Sequence, residues 1–481
     1  MPSPRTWRAL EIGALSALMA WCAYRAATQS LAHDEAWTWT GFVRHGPTGI
    51  MTRYAPNNHV LHSLLMWSSS RIFGLSELAL RLPALLGGLL WAGAMLAWAR
   101  RLFPAGPLRL VWWSAFAANP LVMDYLFQAR GYGLAIGLAL TAAFVLSDAS
   151  HKRGLVAGSA LCGASLAALP STAFVLVGIA AAVAVRLWRG SETRRCGHFL
   201  ALILPGPLVA TGLLWQPLSH SERRQFHYGA ASPWESLEGL MDASLRHHDG
   251  WLQVDAAWVP RATGFALVLG IGLIVYGMVR QGAAGRTTPG LALPGHALAI
   301  AIVLLGLAHH FASLPWPRER TALDLFAFAW LASGLGLAAA VARWPWSRLA
   351  ATGILTLTIA LMLAQLQARQ FRSHAYDATA REVFECIAAD RDLERDTPVR
   401  IWAEWRLERS LSAYRDLRQA AAWLAPIDAQ RPWPDGPRDY YVLTGAEAQR
   451  LAASSPIPDL GKYFREMARF ELSDVRILAP R

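Results

Sequence analysis

The sequence predicts an all-α polytopic membrane protein that carries a small α/β domain at its C-terminal end. Hydrophobic residues make up 54% of the 481 residues and charged residues only 16%, whereas a soluble domain carries about 25% charged residues. The apolar residues come in runs of roughly 17–22, long enough to cross a hydrocarbon core about 30 Å thick. A disordered chain is excluded, because disorder requires low hydrophobicity.

The chain contains eleven apolar runs of this kind, and we expect each to form a transmembrane helix. They lie near residues 8–28, 78–99, 107–123, 130–148, 154–170, 172–189, 197–216, 259–280, 292–311, 322–342 and 347–367. The first run lacks an A-x-A cleavage signal, so we interpret it as a retained span and not as a removed signal peptide.

Basic residues in the short loops predict the orientation of these spans. If the N-terminus is cytoplasmic, every short cytoplasmic loop contains Arg or Lys, as the positive-inside rule requires. These loops are 100–109, 151–153, 186–195, 280–286 and 343–348. The outer loops are then 29–77, 217–258 and 309–321, together with the C-terminal region. We therefore expect a multi-pass protein embedded in membrane lipids, with a cytoplasmic N-terminus and a C-terminal domain on the outer face.

The net charge of +12 does not indicate a nucleic-acid-binding protein. Only two lysines occur, and the chain has no dense basic tract interleaved with aromatic residues, the pattern that a nucleic-acid interface requires. The four cysteines show no CxxC or Cys/His ligand spacing, so neither a disulfide framework nor a structural zinc site is predicted.

Charged residues become dense after about residue 370, which indicates a change of domain. We divide the chain into a transmembrane domain, 1–369, whose outer loop 29–77 carries the active site, and an extracytoplasmic α/β domain, 370–481. Three stretches of the second domain have the pattern of β-strands and one that of a helix. The strands are predicted at 399–402, 440–443 and within 464–477, and the helix at 404–422.

The outer loop 29–77 contains polar groups that suggest a built site. His33, Asp34 and Glu35 directly follow the first span. The structural alternative is a helix N-terminus, with Asp34 as N-cap and Glu35 favoured by the helix dipole. The segment from Tyr54 to His62 is polar and then turns amphipathic, which predicts a helix lying along the membrane interface.

Five motifs, taken in order, resemble those of the glycosyltransferase C superfamily, in the branch that uses polyprenyl-phosphate sugars. That branch includes bacterial relatives of the protein O-mannosyltransferases and of the lipid A aminoarabinose transferase. The resemblance covers about residues 8–340. The motifs are His33-Asp34-Glu35-Ala36, Pro56-Asn57-Asn58-His59-Val60-Leu61, Glu77 to Leu85, Gln128-Ala129-Arg130-Gly131-Tyr132-Gly133-Leu134, and Arg318-Glu319-Arg320.

Two positions depart from the family pattern. Some relatives carry a Lys-Pro-Pro near the position of Asn57 to His59, where the lysine meets the donor phosphate, and this chain has no lysine there. The late motif usually reads Arg-Tyr, and here Thr321 follows Arg320. Either the group that binds the donor phosphate lies at other positions, or the donor differs.

The resemblance implies an enzyme that moves a sugar from a polyprenyl-phosphate donor to an acceptor hydroxyl at the periplasmic face. The reaction would be an inverting direct displacement, and the acceptor a lipid, a glycan or a protein. Asp34 matches the family's catalytic aspartate and would take the acceptor proton as general base. Glu35 would orient the acceptor or hold the loop. A lipid phosphate leaves as a weak base, so no general acid and no cofactor is required.

Arginines near the outer face are the candidates for stabilising the leaving phosphate, because a guanidinium can bind phosphate oxygens in a bidentate way. Arg130 begins the fourth span, and its alternative roles are snorkelling or pairing with Asp124. For Arg318 and Arg320 the alternative is an ion pair with Glu319 that stiffens the loop. The other candidates for donor phosphate or sugar binding are Tyr132, Asn58, His59, Arg53 and Tyr54.

Two further interpretations stay open. His33, His59 and His62 could hold a divalent metal such as zinc or manganese, although paired histidines at an interface are more often hydrogen-bonded anchors and the resemblance implies catalysis without a metal. The alternative function is a transporter or flippase of lipid-linked sugars. Transporters usually place polar sites near the bilayer midplane, often between repeats, whereas here the polar groups gather at outer helix ends and no repeat is visible.

Overall fold

The computed structural model describes most of the chain as helix, with one small sheet near the C-terminus. The described residues are 3–189, 195–221, 228–245, 258–284, 290–366, 368–392, 394, 396–429, 437–454 and 460–481. The predicted loops 186–195, 217–258 and 280–286 lie partly outside these residues.

The chain divides into two compact units that do not follow the order of the sequence. Unit 1 comprises residues 1–24, 51–65 and 81–366, and unit 2 comprises residues 25–50, 66–80 and 367–481. Unit 2 thus contains the predicted C-terminal domain and also two pieces of the outer loop predicted at 29–77. The sequence indicates a boundary near residue 369 because charge density changes there, but composition carries no information on which distant segments pack together.

Twenty-one α-helices are described. They are α1 Pro4–Thr28, α2 His33–Gly41, α3 Gly46–Thr52, α4 Val60–Phe73, α5 Glu77–Leu102, α6 Pro107–Ala117, α7 Pro120–Tyr125, α8 Tyr132–Ser147, α9 Lys152–Ala168, α10 Ala173–Arg189, α11 Arg195–Ile203, α12 Pro205–Ser219, α13 Pro233–Leu245, α14 Trp258–Ala284, α15 Leu293–Ala312, α16 Leu323–Arg343, α17 Ser347–Leu363, α18 Ala380–Asp390, α19 Trp405–Leu417, α20 Gly445–Ser454 and α21 Leu460–Tyr463.

Among the described residues, six helical segments are long and apolar enough to cross a membrane, so the chain is a multi-pass membrane protein. They are Glu77–Leu102, Pro170–Arg189, Cys196–Ser219, Trp258–Gly277, Leu293–Ala312 and Glu319–Arg343. Two shorter apolar helices, α8 and α17, coincide with two more of the eleven predicted spans.

The expectation of one unbroken helix over 107–123 was wrong, because α6 ends at Ala117 and α7 begins at Pro120. The Asn119 side chain accepts hydrogen bonds from the backbone N–H groups of Leu121 at 3.0 Å and Val122 at 3.3 Å. Proline suits the first position of a helix, where its missing N–H costs nothing. The Asn-Pro pair therefore starts a new helix inside an apolar run.

Glycines allow the helices of unit 1 to pack with their backbones in contact. A Cβ at Gly163 of α9 would overlap the backbone of Gly206 in α12, and one at Gly336 of α16 would overlap the Leu273 carbonyl of α14. Small residues at such crossings are how membrane helices gain close van der Waals packing in the absence of a hydrophobic driving force.

Unit 2 contains a four-stranded sheet with the order β1-β2-β4-β3, formed by β1 Ile401–Ala403, β2 Tyr440–Thr444, β3 Phe464–Phe470 and β4 Val475–Pro480. Strands β1 and β2 are parallel, and the other pairs are antiparallel. The predicted strand within 464–477 is in fact two strands joined by a turn. At its end Asp474 adopts φ 48°, a left-handed conformation that aspartate tolerates better than most residues.

We expect the Gly163→Ala variant to unfold at lower temperature than the wild type, because the added methyl must push α9 from α12. Overpacking of this kind costs about 1–3 kcal/mol. The matched control is Gly212→Ala, because Gly212 lies in the middle of α12 and a Cβ there would meet nothing within 4 Å. Thermal unfolding of the purified protein in detergent measures both, and equal melting temperatures for the two variants would contradict the packing described.

Candidate active site

Helix α2 begins at the end of the first predicted span and carries the acidic pair in its first turn. Ala32 is the N-cap, so Asp34 is not the capping residue that the structural alternative required. Instead, the Glu35 carboxylate accepts a hydrogen bond from the Ala32 backbone N–H at 2.9 Å. Glu35 is fully buried, and its bond to Ala32 fixes the chain at the entrance of the helix.

His33 is fixed in unit 2 by two hydrogen bonds to the C-terminal region. Its backbone N–H donates to Asp377 Oδ2 at 2.6 Å, and its ring Nδ1–H donates to the Arg406 carbonyl at 2.8 Å. Burial lowers the pKa of His33 from 6.5, because it disfavours the charged ring, although the Arg406 carbonyl and Asp34 partly oppose this shift. A ring that donates through Nδ1 and stays neutral acts as an anchor and not as a proton carrier.

Asp377 is the partner that orders this region. Its Oδ1 accepts a hydrogen bond from the Ser410 hydroxyl at 2.7 Å, while its Oδ2 accepts the His33 N–H. Burial raises the pKa of Asp377 well above 3.8, against the effect of both hydrogen bonds, and the negative charges of Asp34 and Glu35 raise it further. The site thus brings three carboxyl groups close enough to influence one another.

Asp34 itself is nearly buried, and a histidine faces it. The Nε2 atom of His374 lies 3.6 Å from Asp34 Oδ2, and the side chains are 5% and 12% exposed. His374 belongs to a 3₁₀ segment, Arg372–Asp377, in which it alone departs from helical geometry. Together with His33, Glu35 and Asp377, these residues form what we call the Asp34 cluster.

The segment before α4 belongs to unit 1 and is organised by Asn58. The Asn58 amide donates to the Arg53 carbonyl at 2.8 Å, and its side-chain oxygen accepts from the Ser63 hydroxyl at 3.0 Å. Tyr54 is buried, which raises its pKa to about 12. Asn58 therefore ties the turn at Arg53 and Tyr54 to the first turn of α4.

Arg130 lies in a buried irregular segment at the start of α8. Tyr132 and His59, which the sequence also predicts to bind the donor, belong to the same region. The guanidinium carbon of Arg130 is 5.8 Å from the Tyr132 ring centroid, and the His59 ring is 5.4 Å from Tyr132. His59 also hydrogen-bonds through Nδ1 to the Ala168 carbonyl at 3.1 Å. No side chain fits at Gly131, because a Cβ there would overlap both the Ala168 carbonyl and the His59 ring. These contacts explain why glycine follows Arg130.

His62 completes this group, which we call the Arg130 cluster and define as His59, His62, Arg130 and Tyr132. The His62 side chain is fully buried, and neither ring nitrogen has a hydrogen-bond partner among the described residues. Burial, together with the positive charge of Arg130, lowers the pKa of His62 to about 3. Neutral His62 therefore adds hydrogen-bonding capacity next to Arg130 without adding charge.

The two late arginines of unit 1 have different surroundings. Arg318 lies 3.3 Å from Glu235 and 3.6 Å from Glu319, so carboxylates compensate its charge. The Arg320 guanidinium stacks over the Tyr228 ring at 4.6 Å. The Tyr228 hydroxyl donates to Glu319 at 3.1 Å, and burial raises its pKa to about 12.

Sequence reasoning missed Tyr228, His374 and Asp377, since each lies outside the recognised motifs. Within the part of the chain that the structure describes, no three His, Cys, Asp or Glu side chains are arranged to hold a metal ion. Of the histidines considered as ligands, His33 is in unit 2, and His59 and His62 are in unit 1.

We expect the Asp377→Asn variant to change how stability depends on pH. Because its pKa is raised, Asp377 contributes its full stability below the ordinary value of about 3.9 and loses it as pH rises through the folded-state pKa. Asparagine has no proton to lose, so the melting temperature of the variant minus that of the wild type should rise from about pH 4 to about pH 8. Thermal unfolding in detergent measures this, and the exposed Asp392→Asn is the control. A flat or falling difference would contradict the prediction.

Comparison with known proteins places the chain by its fold. No protein-family model matches this sequence, and no curated protein matches it either. ArnT from Cupriavidus metallidurans, solved with bound undecaprenyl phosphate, is 14% identical with a TM-score of 0.56 over 98% of both chains. The Archaeoglobus fulgidus oligosaccharyltransferase in its apo form is 12% identical with a TM-score of 0.45, over 88% of this chain and 64% of that one. Arabinosyltransferase EmbB from Mycobacterium smegmatis is 15% identical with a TM-score of 0.34, over 79% of this chain and 43% of that one.

All three are glycosyltransferases of type C. The likeness to ArnT shows that this chain has the glycosyltransferase C fold, which its sequence motifs predict.

Proposed function

We propose that the chain is a membrane glycosyltransferase that moves a sugar from a polyprenyl-phosphate donor to an acceptor hydroxyl at the periplasmic face of a bacterial inner membrane. The observation that carries the proposal is Asp34, a nearly buried carboxylate held at the start of α2. The fold supports it, because the protein of the same fold, ArnT, was solved with undecaprenyl phosphate.

The proposed reaction is a single displacement with inversion at the anomeric carbon. The acceptor oxygen forms a bond to that carbon, the bond from the carbon to the phosphate oxygen breaks, and the lipid phosphate leaves with the electron pair. Asp34 accepts the proton of the attacking hydroxyl as general base. Glu35 keeps α2 in place through its bond to Ala32. The transferred sugar is a hexose or a pentose, and the acceptor is a lipid, a glycan or a protein.

The Arg130 cluster is the proposed binding group for the donor phosphate. A guanidinium can hold two phosphate oxygens at once, and it is worth most where negative charge develops on the leaving group. Tyr132 lies beside Arg130 and supplies a ring surface, and His59 lies beside Tyr132 and supplies a hydrogen-bonding group. Arg320 is the second candidate, whereas two carboxylates already compensate Arg318. Arg53, Tyr54 and Asn58 shape the adjoining turn.

The orientation is proposed on the distribution of basic residues. Eleven spans with a cytoplasmic N-terminus place each short basic loop in the cytoplasm. The C-terminal domain, 370–481, is then periplasmic, on the same side as the loop 29–77 that carries Asp34.

We expect the Asp34→Asn variant to lose transfer activity by roughly 10²–10⁴-fold, because an amide cannot accept the hydroxyl proton. The assay uses the purified full chain in lipid nanodiscs, undecaprenyl phosphate carrying a radiolabelled hexose or pentose, and a mixed extract of bacterial envelope lipids and glycans as acceptor. The exposed Asp392→Asn should retain wild-type activity. Full activity of Asp34→Asn would remove Asp34 from the mechanism. Movement of labelled lipid across the bilayer without glycoside formation would favour the transporter instead.

We expect the Arg130→Gln variant to bind undecaprenyl phosphate about 10–100-fold more weakly, because a hydrogen bond between charged groups is worth about 1.5–3 kcal/mol. Arg130→Lys should recover part of the affinity, since lysine keeps the charge but not the bidentate geometry. Native mass spectrometry of the protein with added undecaprenyl phosphate measures both. Arg348→Gln, at an exposed position, is the control, and unchanged binding by Arg130→Gln would disprove the assignment.

A further inference from the structure

We propose that His374 is a positioning residue for Asp34, whose Nε2–H orients the carboxylate for proton transfer from the acceptor. The inference rests on the proposed function and adds to it a residue that no motif of the sequence identifies. The residue comes from the region after the last predicted span, more than three hundred positions from Asp34 in the chain.

The contact is direct, and its partners are sheltered from water. His374 Nε2 lies 3.6 Å from Asp34 Oδ2, with side-chain exposures of 5% and 12%. In enzymes without bound substrate, catalytic hydrogen bonds are often long and tighten only in the complex. A separation of 3.6 Å is therefore close enough for the two groups to form a hydrogen bond when the acceptor binds.

The backbone around His374 is anchored on the same turn of α2. Three residues further along, Asp377 accepts the His33 N–H at 2.6 Å and the Ser410 hydroxyl at 2.7 Å. His374 is the single residue of this 3₁₀ segment with non-helical angles, φ −141° and ψ 48°. The hydrogen bonds of Asp377 thus hold the segment in place. The backbone leaves helical geometry at His374, the residue whose ring approaches Asp34.

The ring of His374 faces the carboxylate with Nε2 and not with Nδ1. The Nδ1 atom is buried and has no hydrogen-bond partner among the described residues. An ionised carboxylate can only accept a hydrogen bond, so the proposed bond requires a proton on Nε2.

This arrangement assigns different tasks to the two oxygens of Asp34. An ionised carboxylate accepts at both oxygens. With His374 at Oδ2, the proposal places the acceptor hydroxyl at Oδ1. During transfer the hydroxyl proton passes to Oδ1, the acceptor oxygen bonds to the anomeric carbon, and the phosphate departs. His374 gains and loses no proton in this step.

Titratable and charged groups also surround the pair on the elements packed against it. They are His33 and Glu35 on α2, Asp377 on the 3₁₀ segment, and Arg406 and Arg409 on α19. A hydrogen bond to the ionised form of a carboxylate favours that form. Loss of the His374 donor should therefore move the acidic limb of the pH profile to higher pH.

The test compares His374→Ala and His374→Gln with the wild type in the nanodisc assay with labelled undecaprenyl-phosphate sugar. We expect His374→Ala to lower kcat by about 10–100-fold with donor KM within about twofold, and to shift the acidic limb of kcat/KM upward by about one pH unit. Gln carries an amide N–H near the position of Nε2. His374→Gln should therefore restore most of the rate and return the acidic limb of the pH profile to its wild-type position. The exposed His45→Ala of the same unit is the matched control and should behave as wild type.

The outcomes separate this inference from the proposed function. If the wild type transfers no sugar, or if Asp34→Asn transfers it as the wild type does, the proposed function fails. If wild type is active and Asp34→Asn inactive, but His374→Ala matches wild type in rate and pH profile, only the role of His374 is overturned. If His374→Ala does not fold, the transfer activities of His374→Gln and His374→Phe are compared instead, provided that these two variants have equal melting temperatures. Activity in Gln and not in Phe supports the inference, and equal activity in both overturns it.

Discussion

The geometry of unit 2 around α2 depends on the hydrogen bonds that the buried carboxylate of Asp377 accepts. This carboxylate joins the start of α2, the 3₁₀ segment after α17 and helix α19 through hydrogen bonds to His33 and Ser410. A buried carboxylate without such partners would be expensive to desolvate, and the raised pKa of Asp377 shows that the cost is only partly offset. Because these bonds hold the backbone on both sides, Asp34 and His374 are brought within 3.6 Å.

Several arginines have carboxylate neighbours that compensate their charge. In unit 1, Arg318 lies between Glu235 and Glu319, so an approaching phosphate would have to compete with two carboxylates for its charge. In unit 2, Glu77 pairs with Arg381 at 2.9 Å and with Arg418 at 3.7 Å. Residues of the same type in the sequence therefore have different surroundings, which depend on the side chains that each one contacts.

Much of the fold could be predicted because membrane spans follow from apolar run length alone, as α5, α15 and α16 illustrate. Local capping chemistry was harder to interpret, since the break at Asn119 lies inside a run that is apolar on both sides. The same limit applied at α2, where the acidic pair predicted either a cap or a catalytic pair. In the structure Glu35 accepts the capping hydrogen bond, whereas Asp34 lies beside a histidine. Two adjacent carboxylates in a sequence do not reveal which of them has which partner.

The sequence by itself determined the class of protein, the positions of several apolar helices and the place of the acidic pair directly after the first apolar run, because these depend on composition and short-range pattern. Only the tertiary structure decided what surrounds that pair. His33 and its partner Asp377 are 344 residues apart, and Arg318 and Glu235 are 83 apart. Such contacts depend on how distant segments pack, and no periodicity or spacing along the chain records them, which is why His374, Asp377 and Tyr228 were found only in three dimensions.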